Sequence, residues 1–240
     1  MGRTIGSLAL QDGAFSIGAA FEAPGHEAVG RDYGVVLGRP SPLGLSVVDD
    51  AREAIRRGDV LIEFTQPAST VAHVQLAKEL HKPVVIGTTG LSEADLSQIR
   101  EAASAIPIVL SPNMSLGVNV LFELAQTAAK RLGLSFDVEV VEAHHKAKRD
   151  APSGTAKRLA EVVAASRQQL PNAIPVHAVR AGDIVGDHTV ILAGRSERLE
   201  LTHRAHSREV FAQGALRAAA FVRSQRPGLY DMSHVLASPA

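Results

Sequence analysis

The sequence contains no cysteine. Disulfides, thiolate metal sites and cysteine nucleophiles are therefore excluded, and the absence fits a reducing compartment. Nor is there an excess of either charge: 25 Lys and Arg balance 25 Asp and Glu. A chain that binds nucleic acid through its phosphates usually carries a clear basic surplus, so no nucleic-acid partner is expected. No apolar run approaches the roughly 18 residues that a membrane span needs, and no membrane association is expected. The stretch from Ile5 to Leu10 behind Arg3 faintly resembles a signal peptide, but Gln11 and Asp12 end it early. No small-residue cleavage site follows, and the expected location is the cytoplasm. What is present, 45% apolar and 21% charged over 240 residues, suits a globular protein of one large or two modest domains.

The first half alternates short Val- and Ile-rich runs with helical patterns, the rhythm of parallel α/β architecture. Residues 16–22, 59–64, 83–87 and 106–110 read as buried strands. Between them, 70–80 places Val71, Val74, Ala77 and Leu80 on one helical face, and Pro67 suits a first helical turn. Ser92 is spaced to cap the amide of Asp95, with Leu91 and Leu96 as a hydrophobic staple. Past the middle the rhythm changes. Residues 136–143 read as a strand, followed by a polar, histidine-rich turn and a helix from Ser153. Runs 174–180, 188–194 and 199–205 follow with short turns between, which predicts antiparallel pairing. A last helix, 208–224, carries Phe211, Ala215, Ala218 and Val222 on one stripe and returns to the first domain.

The expected fold is therefore α/β. A truncated Rossmann-like dinucleotide-binding domain spans 1–113 and 209–240. An α+β substrate-binding and oligomerisation domain with an open mixed sheet spans 114–208. A dinucleotide-binding domain normally opens with a strand, a Gly-rich turn and a helix. Here Met1-Gly2-Arg3-Thr4-Ile5-Gly6 reads as the end of that turn and the helix.

The densest polar cluster is Glu142-Ala143-His144-His145-Lys146-Ala147-Lys148-Arg149-Asp150-Ala151-Pro152-Ser153-Gly154-Thr155. It lies at a strand end and before a helix, where such proteins commonly place their sites. Ser153 suits an N-cap, so Gly154 and Thr155 present backbone amides at the positive end of the helix dipole. Gly154 has no side chain to block an anion, and a carboxylate or phosphate fits there. Lys146 and Lys148 add charge, and His144 or His145 can move a proton near neutral pH. The plain alternatives are a solvated basic turn and a helix start that is only a cap. No metal is expected, because adjacent histidines on a strand point to opposite faces and no carboxylate–histidine helical motif accompanies them. Residue chemistry alone thus reaches an anion-binding turn with an acid or base beside it.

The same cluster resembles the E-x-H-H-x-x-K-x-D-x-P-S-G-T signature of the dihydrodipicolinate reductases. Other segments are similar in order and spacing. Ile62-Glu63-Phe64-Thr65-Gln66-Pro67 looks like the family's I-D-F-T-x-P with Glu63 for Asp, and Gly87-Thr88-Thr89-Gly90 like its G-T-T-G turn. Pro112-Asn113-Met114-Ser115-Leu116-Gly117-Val118 resembles x-N-[FM]-S-x-G-V. The run from Val179 to His188 resembles V-R-x-G-D-I-V-G-x-H, so the likeness covers essentially the whole chain.

The resemblance implies roles residue by residue. His144 would be the acid/base histidine and Lys148 the second catalytic proton donor. His145, Ser153 and the Gly154 and Thr155 amides would hold a substrate carboxylate, with Lys146 and Arg208 as nearby cations. Gly87, Thr88 and Thr89 would line the cofactor cleft near the nicotinamide, bordered by Ser111, Pro112, Asn113 and Met114. Met1 and Gly2 would close a phosphate turn whose G-x-x-G-R start, with its strand, precedes Met1 in the family. Glu22 ends the second strand, where an acidic side chain can bond the adenosine ribose hydroxyls. Ala23 stands where members carry Arg, which leans towards NADH over NADPH, although the family often uses both.

The implied activity is reduction of hydroxytetrahydrodipicolinate, a cyclic dicarboxylate, to tetrahydrodipicolinate in lysine and diaminopimelate biosynthesis. The resemblance also implies a homo-oligomer, a tetramer in the family. The segment between Ala164 and Val176 is shorter than usual and lacks the glycine-rich loop that lies near that interface. The competing reading is a vestigial dicarboxylate-binding protein that has lost dinucleotide binding and catalysis.

Overall fold

Polar caps and short apolar runs cut the chain into regular elements. The computed structural model describes residues 1–238. These elements gather into two units, one made of Met1–Met114 with the chain from Phe211 on, the other of Ser115–Val210.

The first unit begins with α1 (Gly2–Ala9), β1 (Ala20–Phe21), α2 (Tyr33–Val36), β2 (Val47–Val48) and α3 (Ala51–Arg57). It continues through β3 (Leu61–Glu63), α4 (Pro67–Glu79), β4 (Val84–Ile86), α5 (Glu93–Ala103) and β5 (Pro107–Leu110). The second unit holds α6 (Leu116–Leu132), β6 (Asp137–His144), α7 (Gly154–Ser166), β7 (Val176–Arg180), β8 (Gly186–Ala193) and β9 (Arg198–Ala205). Helix α8 (Glu209–Val222) leads back into the first unit, followed by β10 (Gly228–Tyr230) and α9 (Met232–Ala237).

In the first unit, β3, β4, β5 and β10 form a parallel sheet in the order β10-β5-β4-β3. Strands β1 and β2 pair with each other, also in parallel, as a separate ribbon. The run expected at 16–22 is a strand only over Ala20–Phe21, because β2 offers ladder partners to those two residues alone. Helix α5 starts as its spacing predicts: Ser92 and Asp95 form a reciprocal capping box. Helix α4 differs from expectation in its inward face, which carries Thr70, Val74 and Ala77 rather than Val71. The Thr70 hydroxyl can be buried there because it meets that of Thr88 at 2.7 Å. Val84, Ile86, Ile99, Ile106 and Ile108 fill the core between sheet and helices.

The second unit is built on a mixed sheet in the order β7-β6-β8-β9. Strands β8 and β9 run antiparallel to their neighbours, but β7 runs parallel to β6, not antiparallel as its short flanking turns predict. The cause is α7, which lies between β6 and β7 in the chain and returns it to the same end of the sheet. Alternation along β6 buries Val138, Val140, Glu142 and His144 on one face, and β8 matches it with Gly186, His188, Val190 and Leu192. The apolar half of that face packs on Leu159, Val163 and Leu121 of α7 and α6. The polar half, Glu142, His144 and His188, sits at the other end. Burying polar groups there requires partners, and those partners make the site.

One close approach fixes α8. A Cβ placed on Gly214 would lie 1.7 Å from the carbonyl oxygen of Met114. Gly214→Ala should therefore destabilise the first unit by at least about 1–3 kcal/mol, the usual cost of overpacking. Denaturant unfolding checks this, and wild-type stability in the variant would contradict the packing described.

Candidate active site

The candidate acid/base residue is held by a carboxylate that water cannot reach. Glu142, fully buried on β6, is met by the guanidinium of Arg180, which sits on β7 opposite His144. The two nitrogens of the fork lie 2.8 Å from the two carboxylate oxygens. The Ser153 backbone N–H donates to Oε1 at 3.0 Å, and His144 Nδ1 stands 2.5 Å from Oε2. Burial pushes the Glu142 carboxyl up, but the bonds from Arg180, His144 and Ser153 outweigh it and hold the group at about 2. Glu142 is thus ionised and can only accept, so His144 Nδ1 carries a hydrogen and donates it. In the neutral ring this leaves Nε2 as the nitrogen without a hydrogen. Nε2 lies against Gly186, where an added Cβ would be 3.1 Å away.

His188, opposite Glu142 on β8, completes the buried set. Its ring stands edge-on to that of His144, with centroids 5.2 Å apart, and its Nε2 is 3.3 Å from the Ser153 hydroxyl. Burial, reinforced by the neighbouring His144, lowers His188 to about 4, so it is neutral at physiological pH.

Ser153 caps α7 by accepting the Ala156 N–H at 3.2 Å. Its backbone N–H and its hydroxyl are both engaged within the protein, so what it contributes is the position of the helix start. Gly154 follows at the first helical position, where no carbonyl one turn earlier can take its N–H. A Cβ there would meet nothing within 4 Å, so the position opens on space. Lys148 Nζ pairs with Asp150 Oδ1 at 2.9 Å and draws that carboxyl below its ordinary range. His145 is half-buried, and Lys146 is exposed with its N–H on the Gly182 carbonyl at 3.1 Å. Arg208 is exposed in the turn before α8. Among the described residues, no group of three His, Asp or Glu side chains is arranged to hold a metal. A recess of about 250 Å³ between the C-terminal turns of α6 and α7 is lined by none of the candidate residues.

The candidate coenzyme residues lie in the first unit. Glu63, Ile86 and Leu110 end adjacent parallel strands in register, so Phe64, Gly87 and Ser111 follow side by side. Ligands of open α/β sheets bind at such carboxyl ends. Gly87 must lack a side chain, because a Cβ would fall 2.2 Å from the Phe64 ring. Thr88 is buried and Thr89 exposed. The Ser111 hydroxyl donates to the Asn113 carbonyl at 2.8 Å, shaping a turn with Pro112 exposed and Met114 buried. Glu22 is exposed just past β1, its Oε1 accepting the Ala23 N–H at 3.0 Å. Met1 precedes α1 and gives it no side-chain cap.

Sequence reasoning missed Glu142, Arg180 and His188 as working parts. The signal was available in β6: Val138-x-Val140-x-Glu142-x-His144 puts two polar residues in line with a core-facing row.

Two family descriptions match the chain: "Dihydrodipicolinate reductase, N-terminus" over residues 1–114 and "Dihydrodipicolinate reductase, C-terminus" over 117–236. The chain is 45% identical to the 4-hydroxy-tetrahydrodipicolinate reductase of Aromatoleum aromaticum, over 98% of this chain and 91% of that one. It is 46% identical to the protein of the same name from Anaeromyxobacter dehalogenans, over 98% and 93%. Among solved structures, a dipicolinate-bound dihydrodipicolinate reductase from Paenisporosarcina sp. TG-14 is similar in fold. Its TM-score is 0.79 at 24% identity, covering 96% of this chain and 92% of that one. The amine dehydrogenase of Mycobacterium smegmatis shares the fold more loosely, at TM-score 0.64 and 14% identity, covering 100% and 93%.

The buried His188 makes stability depend on pH. Unfolded, a histidine protonates near 6.5; folded, this one does so only at about 4. Protons therefore favour the unfolded chain, and stability is full above pH 6.5 and lost as pH falls towards 4, by up to about 3 kcal/mol. Denaturant unfolding between pH 8 and 4 measures that slope, and His188→Gln should flatten it. An unchanged slope in the variant would contradict a neutral, buried His188.

Proposed function

The chain belongs to the dihydrodipicolinate reductase family, and on that premise we propose that it reduces 4-hydroxy-tetrahydrodipicolinate to tetrahydrodipicolinate with a nicotinamide coenzyme. The step belongs to lysine and diaminopimelate biosynthesis. The observation that carries this reading is the Arg180–Glu142–His144 arrangement beside the open start of α7. It provides one oriented proton-exchanging nitrogen next to a helix N-terminus suited to an anion.

The roles proposed here join the family resemblance to this geometry. A substrate carboxylate meets the N-terminus of α7 at Gly154 and Thr155, with His145, Lys146 and Arg208 as further partners. Ser153 places those amides. His144 exchanges its proton at Nε2, with Glu142 fixing the ring and stabilising the imidazolium when it forms. Lys148, held by Asp150, is the second proton donor. When bound, a reduced nicotinamide supplies the hydride. The carboxyl ends of β3, β4 and β5 fit such a coenzyme: Gly87 is kept bare beneath Phe64, with Thr88, Thr89 and the turn from Ser111 to Met114 around it.

Residues 1–113 and 209–240 take the coenzyme, with Glu22 on the adenosine ribose and Met1 at the pyrophosphate end. Residues 114–208 take the substrate and carry the subunit contacts of a homo-oligomer. The uncovered face of the β7-β6-β8-β9 sheet, with Val141, Thr189, Ile191 and Thr202, supports such contacts. An acid at Glu22 followed by the uncharged Ala23 favours NADH over NADPH. The cytoplasm is the expected setting, and among the described residues no helix is long and apolar enough to cross a membrane.

A second reading, a dicarboxylate-binding protein without coenzyme, draws on the separation of the β1–β2 ribbon from the main parallel sheet. Fluorescence titration with NADH and NADPH, with and without pyridine-2,6-dicarboxylate, separates the two. Micromolar coenzyme binding strengthened by the mimic is the expected result; binding of the mimic alone favours the second reading. In the reductase, His144→Ala should lower kcat by about 10²–10⁴ while leaving the NADH dissociation constant unchanged. An equal loss of turnover and coenzyme affinity would contradict the role given to His144.

A further inference from the structure

We infer that Glu63 and His73 form a positioning pair for the coenzyme-binding end of the first unit, a role that presupposes the nicotinamide reading above. Glu63 is the last residue of β3 and is 1% exposed. A carboxylate withdrawn from water is costly unless donors converge on it, and stability alone would be served as well by an apolar residue of the same size. Here the donors come from two directions. On Oε1 it accepts the Thr65 backbone N–H at 2.9 Å and the Thr65 hydroxyl. On Oε2 it accepts from His73 Nδ1 of α4 at 2.8 Å.

The Thr65 side of this hub is directed at the site. It fixes the turn that lays Phe64 over Gly87, and a line of hydroxyls runs on from it. Thr65 Oγ1 is 3.4 Å from Thr70 Oγ1, which is 2.7 Å from Thr88 Oγ1. Each hydroxyl has one hydrogen to give. With that of Thr65 given to Glu63, Thr65 can only accept from Thr70, and the Thr70–Thr88 contact carries the line on to the cofactor-side turn. Glu63 is thereby connected, through the Thr65 and Thr70 hydroxyls, to the Gly87-Thr88-Thr89 turn.

The His73 side reaches the opposite end of the coenzyme site. Its ring stands edge-on to Phe21, with centroids 5.0 Å apart and planes at 88°. Phe21 ends β1 and immediately precedes Glu22, the candidate partner of the adenosine ribose. One buried carboxylate and its half-buried imidazole partner thus tie the nicotinamide-side turns to the ribose-side strand end.

The test uses Glu63→Gln, which keeps the shape but loses one acceptor oxygen, and His73→Phe, which keeps the ring against Phe21 but loses the donor. Each variant and their double are titrated with NADH and NADPH, and separately with pyridine-2,6-dicarboxylate in the absence of coenzyme, well below the thermal midpoint. The expected result is a tenfold or greater weakening for coenzyme in each single variant and no further loss in the double. The dicarboxylate dissociation constant stays within twofold. Should Glu63→Gln fail to fold, His73→Phe carries the comparison alone. Folded variants that bind coenzyme like wild type, or that lose dicarboxylate equally, overturn the assignment. If the wild-type chain binds neither coenzyme, the nicotinamide reading falls first and this pair's role falls with it.

Discussion

The structure of the second unit depends on one buried charge. Glu142 would be expensive on the inner face of β6 were it not met by the Arg180 fork, the Ser153 amide and the His144 ring. Those partners come from β7, from the start of α7 and from β6 itself, so satisfying one carboxylate fixes three separate stretches of chain. The same bonds decide where the protons are. Because Glu142 stays ionised down to about pH 2, His144 presents Nδ1–H to the carboxylate and Nε2 towards Gly186, while burial keeps the neighbouring His188 uncharged. Stability and chemistry are set by the same interaction.

The first unit repeats the device in other residues. Glu63 ends β3 as Glu142 nearly ends β6; both are buried, and each holds a histidine through Nδ1. In each case a backbone N–H from the following loop also bonds the carboxylate, Thr65 in one and Ser153 in the other. A strand can deliver a side chain to the end of a sheet with little freedom left to it. The loop beyond is mobile by nature unless something anchors it. A buried carboxylate that collects loop donors provides that anchor, and both candidate sites lie on loops anchored in this way.

Much of this was legible beforehand, and the misses have physical causes. The parallel strands at 59–64, 83–87 and 106–110 declare themselves because strands buried on both faces read as unbroken apolar runs. The Ser92 and Ser153 caps declare themselves because capping is local. Strands β2 and β10 do not, since two or three residues carry no periodicity and become strands only when a neighbour supplies a ladder. The direction of β7 followed from α7 as a crossover, a long-range consequence that short flanking turns obscure. In the candidate site, His144, Lys148 and Gly154 stand out as candidates through their cluster and its family resemblance. Arg180, 38 residues beyond Glu142, was not, because only register β6↔β7 brings the two together. Phe21 and His73 meet for the same reason, through packing that no local spacing announces.

The central claim is that Glu142 fixes the tautomer and orientation of His144. Nitrogen-15 NMR of the histidine side chains, assigned with a His144→Gln control, reads this directly in the neutral form of the ring. The account predicts that His144 carries its hydrogen on Nδ1, with the downfield shift of a strong hydrogen bond, and that Glu142→Gln weakens that signature. A neutral His144 protonated on Nε2, or a ring exchanging freely between tautomers, would contradict it.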